Sequence, residues 1–186
     1  TMKVEKENLK DAIAGIRAIG MRGLNLTIPH KIAVIPFLDE LSPAAKIIGA
    51  VNSIRVQDGQ LIGENTDGKG FVTSLMETGV ELIITVLGSG GAARAVAVEC
   101  AISGAETVNI VARNEESGKE LADLISEKTE AQGVYFTWKG SVPIPEGTEV
   151  LVNCTNVGLY PDENKPDITY EDIRKNMTVC DVVFNP

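Results

Sequence analysis

Several features are scarce in this 186-residue chain, and each scarcity excludes something. No apolar run approaches the ~18 residues needed to cross a bilayer, which excludes a membrane-spanning helix. The first residues, Thr1–Lys6, lack the apolar core of a secretory signal. Positive charge is in deficit: 17 Lys and Arg stand against 26 Asp and Glu, a net charge of −9. That balance argues against a nucleic-acid partner. The chain has one histidine, His30, read as structural, so neither a Ser-His-Asp triad nor a histidine-based metal site can be built. Cys100, Cys154 and Cys180 are odd in number, widely spaced and set among apolar residues. They read as buried thiols in a reducing, cytoplasmic compartment, neither a disulfide frame nor a metal site. Internal repeats, low-complexity segments and long linkers are also absent.

What charge there is lies unevenly. The first 70 residues hold nine basic and eight acidic side chains, so nearly all the net negative charge falls in the remainder. The first part therefore tolerates an anionic substrate. An anionic cofactor in the second part needs cations placed locally.

The patterning divides the chain. Val4–Ile19 reads as an amphipathic helix, with Leu9, Ile13, Ile16 and Ile19 on one face. Leu24–Ile28 reads as a short strand. His30–Leu38 and Pro43–Ile48 read as helices. Val51–Val56 and Leu61–Glu64 form a hairpin around Asp58-Gly59. Asp67–Thr78 is a helix ended by Gly79. From Leu82 the rhythm changes to strand, glycine loop, helix. Leu82–Leu87, Thr107–Ala112, Val134–Trp138, Glu149–Asn153 and Val179–Phe184 read as strands. Gly91–Ser103, Glu115–Lys128 and a short Tyr170–Lys175 read as helices. Strands alternating with helices predict an α/β protein: a Rossmann-like, doubly wound parallel sheet over residues 67–186. A smaller, incomplete α/β substrate domain occupies residues 1–66, with the active-site cleft expected between the two.

Three segments carry the chemistry of the first part. In Asn25-Leu26-Thr27-Ile28-Pro29-His30-Lys31, Pro29 suits the first helical position and Thr27 a cap before it. Lys31 then falls in the first turn, where the helix dipole disfavours a cation. The second segment is Gly49-Ala50-Val51-Asn52-Ser53, and the third is Gly63-Glu64-Asn65-Thr66-Asp67-Gly68. Lys31 also reads as a solvated surface lysine, Asp67 as a helix cap and Asn52 as a cap on the hairpin strand.

In the second part, Gly88-Ser89-Gly90-Gly91-Ala92-Ala93-Arg94-Ala95 follows a buried strand and opens a helix. That context suits close approach of the backbone to a pyrophosphate. Where the next strand ends, an NAD site carries an acid for the ribose hydroxyl. This chain has Arg113 there, followed by Asn114, Glu115 and Glu116. An arginine suits a 2′-phosphate, so NADP is expected in preference to NAD. The two glutamates could instead take the ribose hydroxyl or repel a phosphate.

In order and spacing these segments resemble the shikimate dehydrogenase family, with its N-x-T-[IV]-P-x-K, G-A-V-N-[ST] and G-x-N-T-D-x-x-G segments and glycine-rich loop. The resemblance implies reversible NADP(H)-dependent hydride transfer between shikimate and 3-dehydroshikimate. Lys31 and Asp67 would be the catalytic pair, and Asn25, Thr27 and Asn52 would bind substrate hydroxyls. Gly88, Ser89, Gly90, Gly91, Ala92, Arg113 and Asn114 would contact the cofactor. So would Thr155, in Asn153-Cys154-Thr155-Asn156-Val157-Gly158-Leu159, which resembles the family's N-x-T-x-x-G loop. Around Arg113 the family's N-R-T becomes Ala112-Arg113-Asn114, and its Tyr becomes Phe184, which loses a hydroxyl.

Family members begin with a unit carrying an S-x-S carboxylate anchor and continue past Y-x-P, matched here by Phe184-Asn185-Pro186, into a helical region. Neither stands in these 186 residues, which implies an internal portion. The expectation is that these residues bind cofactor but turn over shikimate very slowly or not at all, and that they self-associate through an uncovered apolar face of residues 1–66. An NAD-dependent quinate/shikimate dehydrogenase and a non-catalytic, cofactor-binding regulatory remnant are the alternatives.

Overall fold

The computed structural model describes residues 1–76, 83–161 and 163–183. It divides into two compact units, Thr1–Asp67 and Gly68–Pro186. Phe184, Leu82 and the expected helix end at Thr78 and Gly79 lie outside the described residues.

The first unit is built on helix α1 (Leu9–Ala18), preceded by a 3-10 turn, and strand β1 (Gly23–Asn25). Helices α2 (His30–Ala33) and α3 (Pro43–Ile48) follow, with strands β2 (Glu40–Leu41), β3 (Ser53–Gln57) and β4 (Gln60–Glu64). The apolar stripe of α1 places Leu9, Ile13 and Ile16 against Val34, Ala45, Val51, Ile54 and Leu61 to make the core. The sheet runs β1-β3-β4-β2. β3 pairs antiparallel with both β1 and β4, and β2 lies parallel to β4. Positive φ at Asp58 (51°) and Gly59 (79°) makes the tight hairpin turn that the dipeptide predicts.

Three local expectations are corrected here. The helix expected over His30–Leu38 is two short pieces, α2 and a 3-10 turn at Ile35–Phe37. Pro36 lacks the N–H that a continuous helix would need. Pro29 is the N-cap of α2, not its first residue, and the Thr27 side chain does not cap it. Instead the Thr27 carbonyl accepts from the His30 N–H at 2.9 Å. β1 ends at Asn25, short of the expected Ile28, although the Leu26 N–H still donates to the Asn52 carbonyl at 2.7 Å, in register with the β1–β3 pairing.

Asp39 ties this unit together. Its carboxylate accepts from the Leu61 N–H at 2.6 Å and from the Arg17 guanidinium. The hydrogen bond from Arg17, then that from Leu61, hold its pKa below the ordinary carboxylate value. A lowered native pKa contributes stability above the unfolded-state pKa, and that contribution is lost as pH falls through the native one. Asp39→Asn should therefore melt below the unsubstituted chain at neutral pH, with the gap narrowing in acid. Thermal melts across a pH series check this; a gap constant with pH would contradict it.

Helix α4 (Asp67–Met76) begins at the last residue of the first unit, and the second unit then alternates strand and helix. Its elements are β5 (Ile83–Leu87), α5 (Gly91–Ile102), β6 (Thr107–Ala112), α6 (Glu115–Lys128), β7 (Gln132–Thr137), β8 (Val150–Asn153) and β9 (Thr178–Asp181). All pairings are parallel, in the order β7-β6-β5-β8-β9. Central strands are fully buried, as parallel strands covered on both faces require: Ile84, Val86, Val108, Ile110, Val150 and Val152 have no exposure. The buried face of α5 is made largely of small side chains, Ala93, Ala97 and Ala101 among them. The expected helix at Tyr170–Lys175 is a 3-10 turn, Tyr170–Asp172. No helix among the described residues is long and apolar enough to cross a membrane.

Candidate active site and dinucleotide cradle

In the first unit, residues far apart in sequence converge on one carboxylate. Lys31 Nζ lies 2.7 Å from Asp67 Oδ2. Asn52 Nδ2 donates to Asp67 Oδ1 at 2.6 Å. Asn52 Oδ1 in turn accepts from the Thr66 N–H at 2.9 Å and its hydroxyl at 3.2 Å. Asn65 Oδ1 accepts from the Asp67 N–H at 3.2 Å, and Asn65 Nδ2 donates to the Ala50 carbonyl at 3.2 Å. Asn65 therefore ties the Asp67 backbone to the segment preceding β3.

Backbone pairing locates the three segments. The Val51 N–H donates to the Lys31 carbonyl at 2.8 Å, and the Asn52 N–H to the Glu64 carbonyl at 3.0 Å. The Lys31 and Asp67 side chains retain 28% and 46% exposure, so the pair is fixed yet open to a ligand. Asn25 and Thr27 stand exposed at and just beyond the end of β1. Asn52 has both ends of its amide engaged, with one Nδ2–H left to give a substrate hydroxyl. His30 serves structure: Nε2 lies 2.8 Å from the Val4 carbonyl.

A second feature of this unit is a groove of about 560 Å³ along α1 and β1, lined by apolar side chains that include Met2, Leu9, Ile13, Ile16 and Ile19. Ile19 is 73% exposed.

In the second unit the sheet order reverses between β5 and β8, the place where doubly wound sheets bind ligands. Gly88 follows β5 with φ 112°, and a Cβ there would lie 3.3 Å from both the Cys154 carbonyl oxygen and Thr155 Cγ2. Gly90 caps α5 without a side-chain hydrogen bond. A Cβ on Gly90 or Gly91 would meet nothing within 4 Å. Among the described residues no side chain caps this helix start, and the space beside its glycines fits a pyrophosphate. Ser89 Oγ lies 2.7 Å from Ser117 Oγ, linking the glycine loop to α6. Ser117 could not be found from sequence, since only the fold brings it to the loop.

Asn114 is the N-cap of α6, its Oδ1 accepting from the Ser117 N–H at 2.9 Å. Ala92 lies in the first turn of α5. Arg113 is exposed, with its guanidinium carbon 5.1 Å from the centre of the Trp138 ring. Glu115 is engaged by Lys119 at 2.6 Å, and that hydrogen bond draws its pKa down.

The loop after β8 is held by Asn153, which is 5% exposed. Its Oδ1 accepts from the Thr155 N–H at 3.1 Å and hydroxyl at 2.7 Å. Its Nδ2 donates to the Asp181 carboxylate at 3.1 and 3.2 Å. A cavity of about 510 Å³ borders Asn153, Gly158, Ile168 and Asp181. Burial pushes the neighbouring Cys154 thiol, and that of Cys100, up to about 12, so both stay protonated at neutral pH. All three cysteines are free, and no metal-binding cluster of His, Cys, Asp or Glu occurs among the described residues.

Comparison with known proteins places both units. The family model described as shikimate dehydrogenase substrate binding domain matches residues 1–54. The chain is 43% identical to the shikimate dehydrogenase (NADP(+)) of Desulforamulus reducens, covering 99% of this chain and 66% of that protein. It is 41% identical to the shikimate dehydrogenase (NADP(+)) of a Geobacillus species, covering 98% and 67%. The crystal structure of the ligand-free 5-ketofructose reductase of a Gluconobacter strain superposes with a TM-score of 0.93 at 40% identity, covering 98% and 66%. The chain thus spans about two thirds of the length of these relatives.

Proposed function

The chain belongs to the shikimate dehydrogenase family, and from that premise we propose that it interconverts shikimate and 3-dehydroshikimate with NADP(H). The observation that carries this reading is the Lys31–Asp67–Asn52 cluster. Reducing a ketone requires a proton at its oxygen as hydride reaches the carbon. NADP(H), when bound, supplies or accepts the hydride. Lys31 Nζ gives the proton to the carbonyl oxygen in reduction and takes it back in oxidation. Asp67 aims the ammonium through a charge-assisted hydrogen bond. Asn52 fixes the Asp67 carboxylate and offers its remaining N–H to a substrate hydroxyl, with Asn25 and Thr27 beside it. The Gly88–Ala92 turn receives the pyrophosphate, with Thr155 at its border and Asn114 capping α6 beside Arg113. Arg113 takes the 2′-phosphate.

Three free thiols, two of them buried, fit a reducing cytoplasm. The apolar groove along α1 supports self-association.

The test is a spectrophotometric assay of shikimate and quinate oxidation with NADP⁺ and NAD⁺, and of 5-ketofructose reduction with NADPH and NADH. The likeness to 5-ketofructose reductase makes that ketone the competing substrate. Shikimate with NADP⁺ should give the highest rate. A faster reaction with another pair would reassign the substrate or the cofactor. Cofactor binding without turnover of any of them, both by this chain and by a version extended at both ends, would make the protein a non-catalytic binder.

Arg113→Ala should remove most of the preference for NADP⁺ over NAD⁺. A charge-assisted bond is worth about 1.5–3 kcal/mol, so NADP⁺ affinity should fall by roughly ten- to a hundredfold while NAD⁺ affinity holds. Calorimetric titration of both cofactors checks this, and equal affinities before substitution would contradict it.

A further inference from the structure

We propose that Trp138 is a specificity-determining positioning residue: its indole face holds the Arg113 guanidinium at the end of β6, poised for a 2′-phosphate. The inference rests on the NADP(H) reading above and adds a residue to it.

Trp138 is itself buried and hydrogen-bonded. It is 5% exposed and packs with Leu87, Val111 and Ile168. Its N–H donates to the Ala112 carbonyl and its indole Nε1–H to the Asp167 carbonyl, both at 3.0 Å. The first bond places the ring beside the residue preceding Arg113.

The Arg113 side chain is otherwise exposed, and among the described residues it has no carboxylate partner. Glu115, the acid two residues on, is engaged by Lys119 at 2.6 Å. The charge of Lys139, next to Trp138, also acts on Glu115, so a further cation faces this corner.

An aromatic face attracts a guanidinium without accepting its N–H groups one by one. An ion pair at this position would have to break before a phosphate could bind. The indole leaves the donor fork available for bidentate contact. It also restricts a side chain that would otherwise lose rotamer freedom on binding, so less is lost when the anion arrives. The benefit goes only to a ligand that uses Arg113, which is why it appears as preference between cofactors.

The test is calorimetric titration of NADP⁺ and NAD⁺ against the unsubstituted chain, Trp138→Leu, Arg113→Ala and the double variant, with circular dichroism to verify folding. Trp138→Leu should weaken NADP⁺ about 2- to 10-fold, the range of a cation–π contact, and leave NAD⁺ nearly unchanged. In the Arg113→Ala background it should change neither. Equal loss of both cofactors would make Trp138 merely structural and overturn the inference, as would an unchanged ratio. Failure of both dinucleotides to bind the unsubstituted chain, or equal binding of them, would overturn the NADP(H) reading and this inference together.

Because Trp138 is the only tryptophan, a measurement without a Trp138 variant is available if Trp138→Leu does not fold. Its emission should change with 2′,5′-ADP and not with 5′-AMP, and the difference should vanish in Arg113→Ala. An emission that responds to the two ligands alike would overturn the inference.

Discussion

Lys31→Ala should lower turnover of shikimate at least ~100-fold relative to the unsubstituted protein, the scale of losing a general acid. The variant removes the ammonium that lies 2.7 Å from Asp67 and leaves that carboxylate held by Asn52. Dinucleotide affinity should not change, because the glycine cradle belongs to the other unit. Steady-state rates with calorimetric titration of NADP⁺ separate these effects. Near-normal turnover would make Lys31 a surface lysine. Equal loss of turnover and cofactor affinity would point to a folding defect.

Gly88→Val should abolish dinucleotide binding, with affinity falling at least ~100-fold. Two costs combine. The backbone φ of 112° is one that L side chains rarely adopt, and a Cβ would lie 3.3 Å from the Cys154 carbonyl oxygen and from Thr155 Cγ2. Relief of either moves the turn that leads into α5. The strain costs on the order of 1–3 kcal/mol of stability, which an intact domain can absorb. The variant should remain folded by circular dichroism while losing the titration signal. Full NADP⁺ affinity in a folded Gly88→Val chain would move the pyrophosphate away from this turn.

The sequence made the site readable wherever a short segment carries both its local structure and its chemistry. Asp58-Gly59 sets the hairpin that pairs Ser53 with Glu64, beside Asn52, and the run ending at Leu87 followed by glycines marks the start of the cradle. Lys31, Asn52 and Asp67 were singled out from three separate segments, and hydrogen bonds join them. Elements without a periodic signal escaped. β2 has two residues and exists only because Glu40 and Leu41 pair with Ile62 and Gly63. The break in the helix after Lys31 comes from Pro36, whose effect on so short a segment outweighs the apolar pattern.

Partners distant in sequence were equally hidden. Asp181 reaches Asn153 only because β9 lies beside β8, and Trp138 reaches Arg113 only because β7 lies beside β6. Neither contact leaves a spacing that a single sequence displays. The expected threat to a 2′-phosphate from Glu115 is eased by Lys119, four residues on and one turn along the helix.

The account's central claim is hydride transfer in which Lys31 supplies the proton. The most direct measurement uses NADPH carrying deuterium at both C4 positions of its nicotinamide ring, with mass spectrometry of the shikimate formed from 3-dehydroshikimate. The account predicts one deuterium on the carbon that bears the new hydroxyl, and product formation slowed at least ~100-fold by Lys31→Ala. Unlabelled shikimate, or labelled shikimate formed as fast by Lys31→Ala as by the unsubstituted protein, would contradict it.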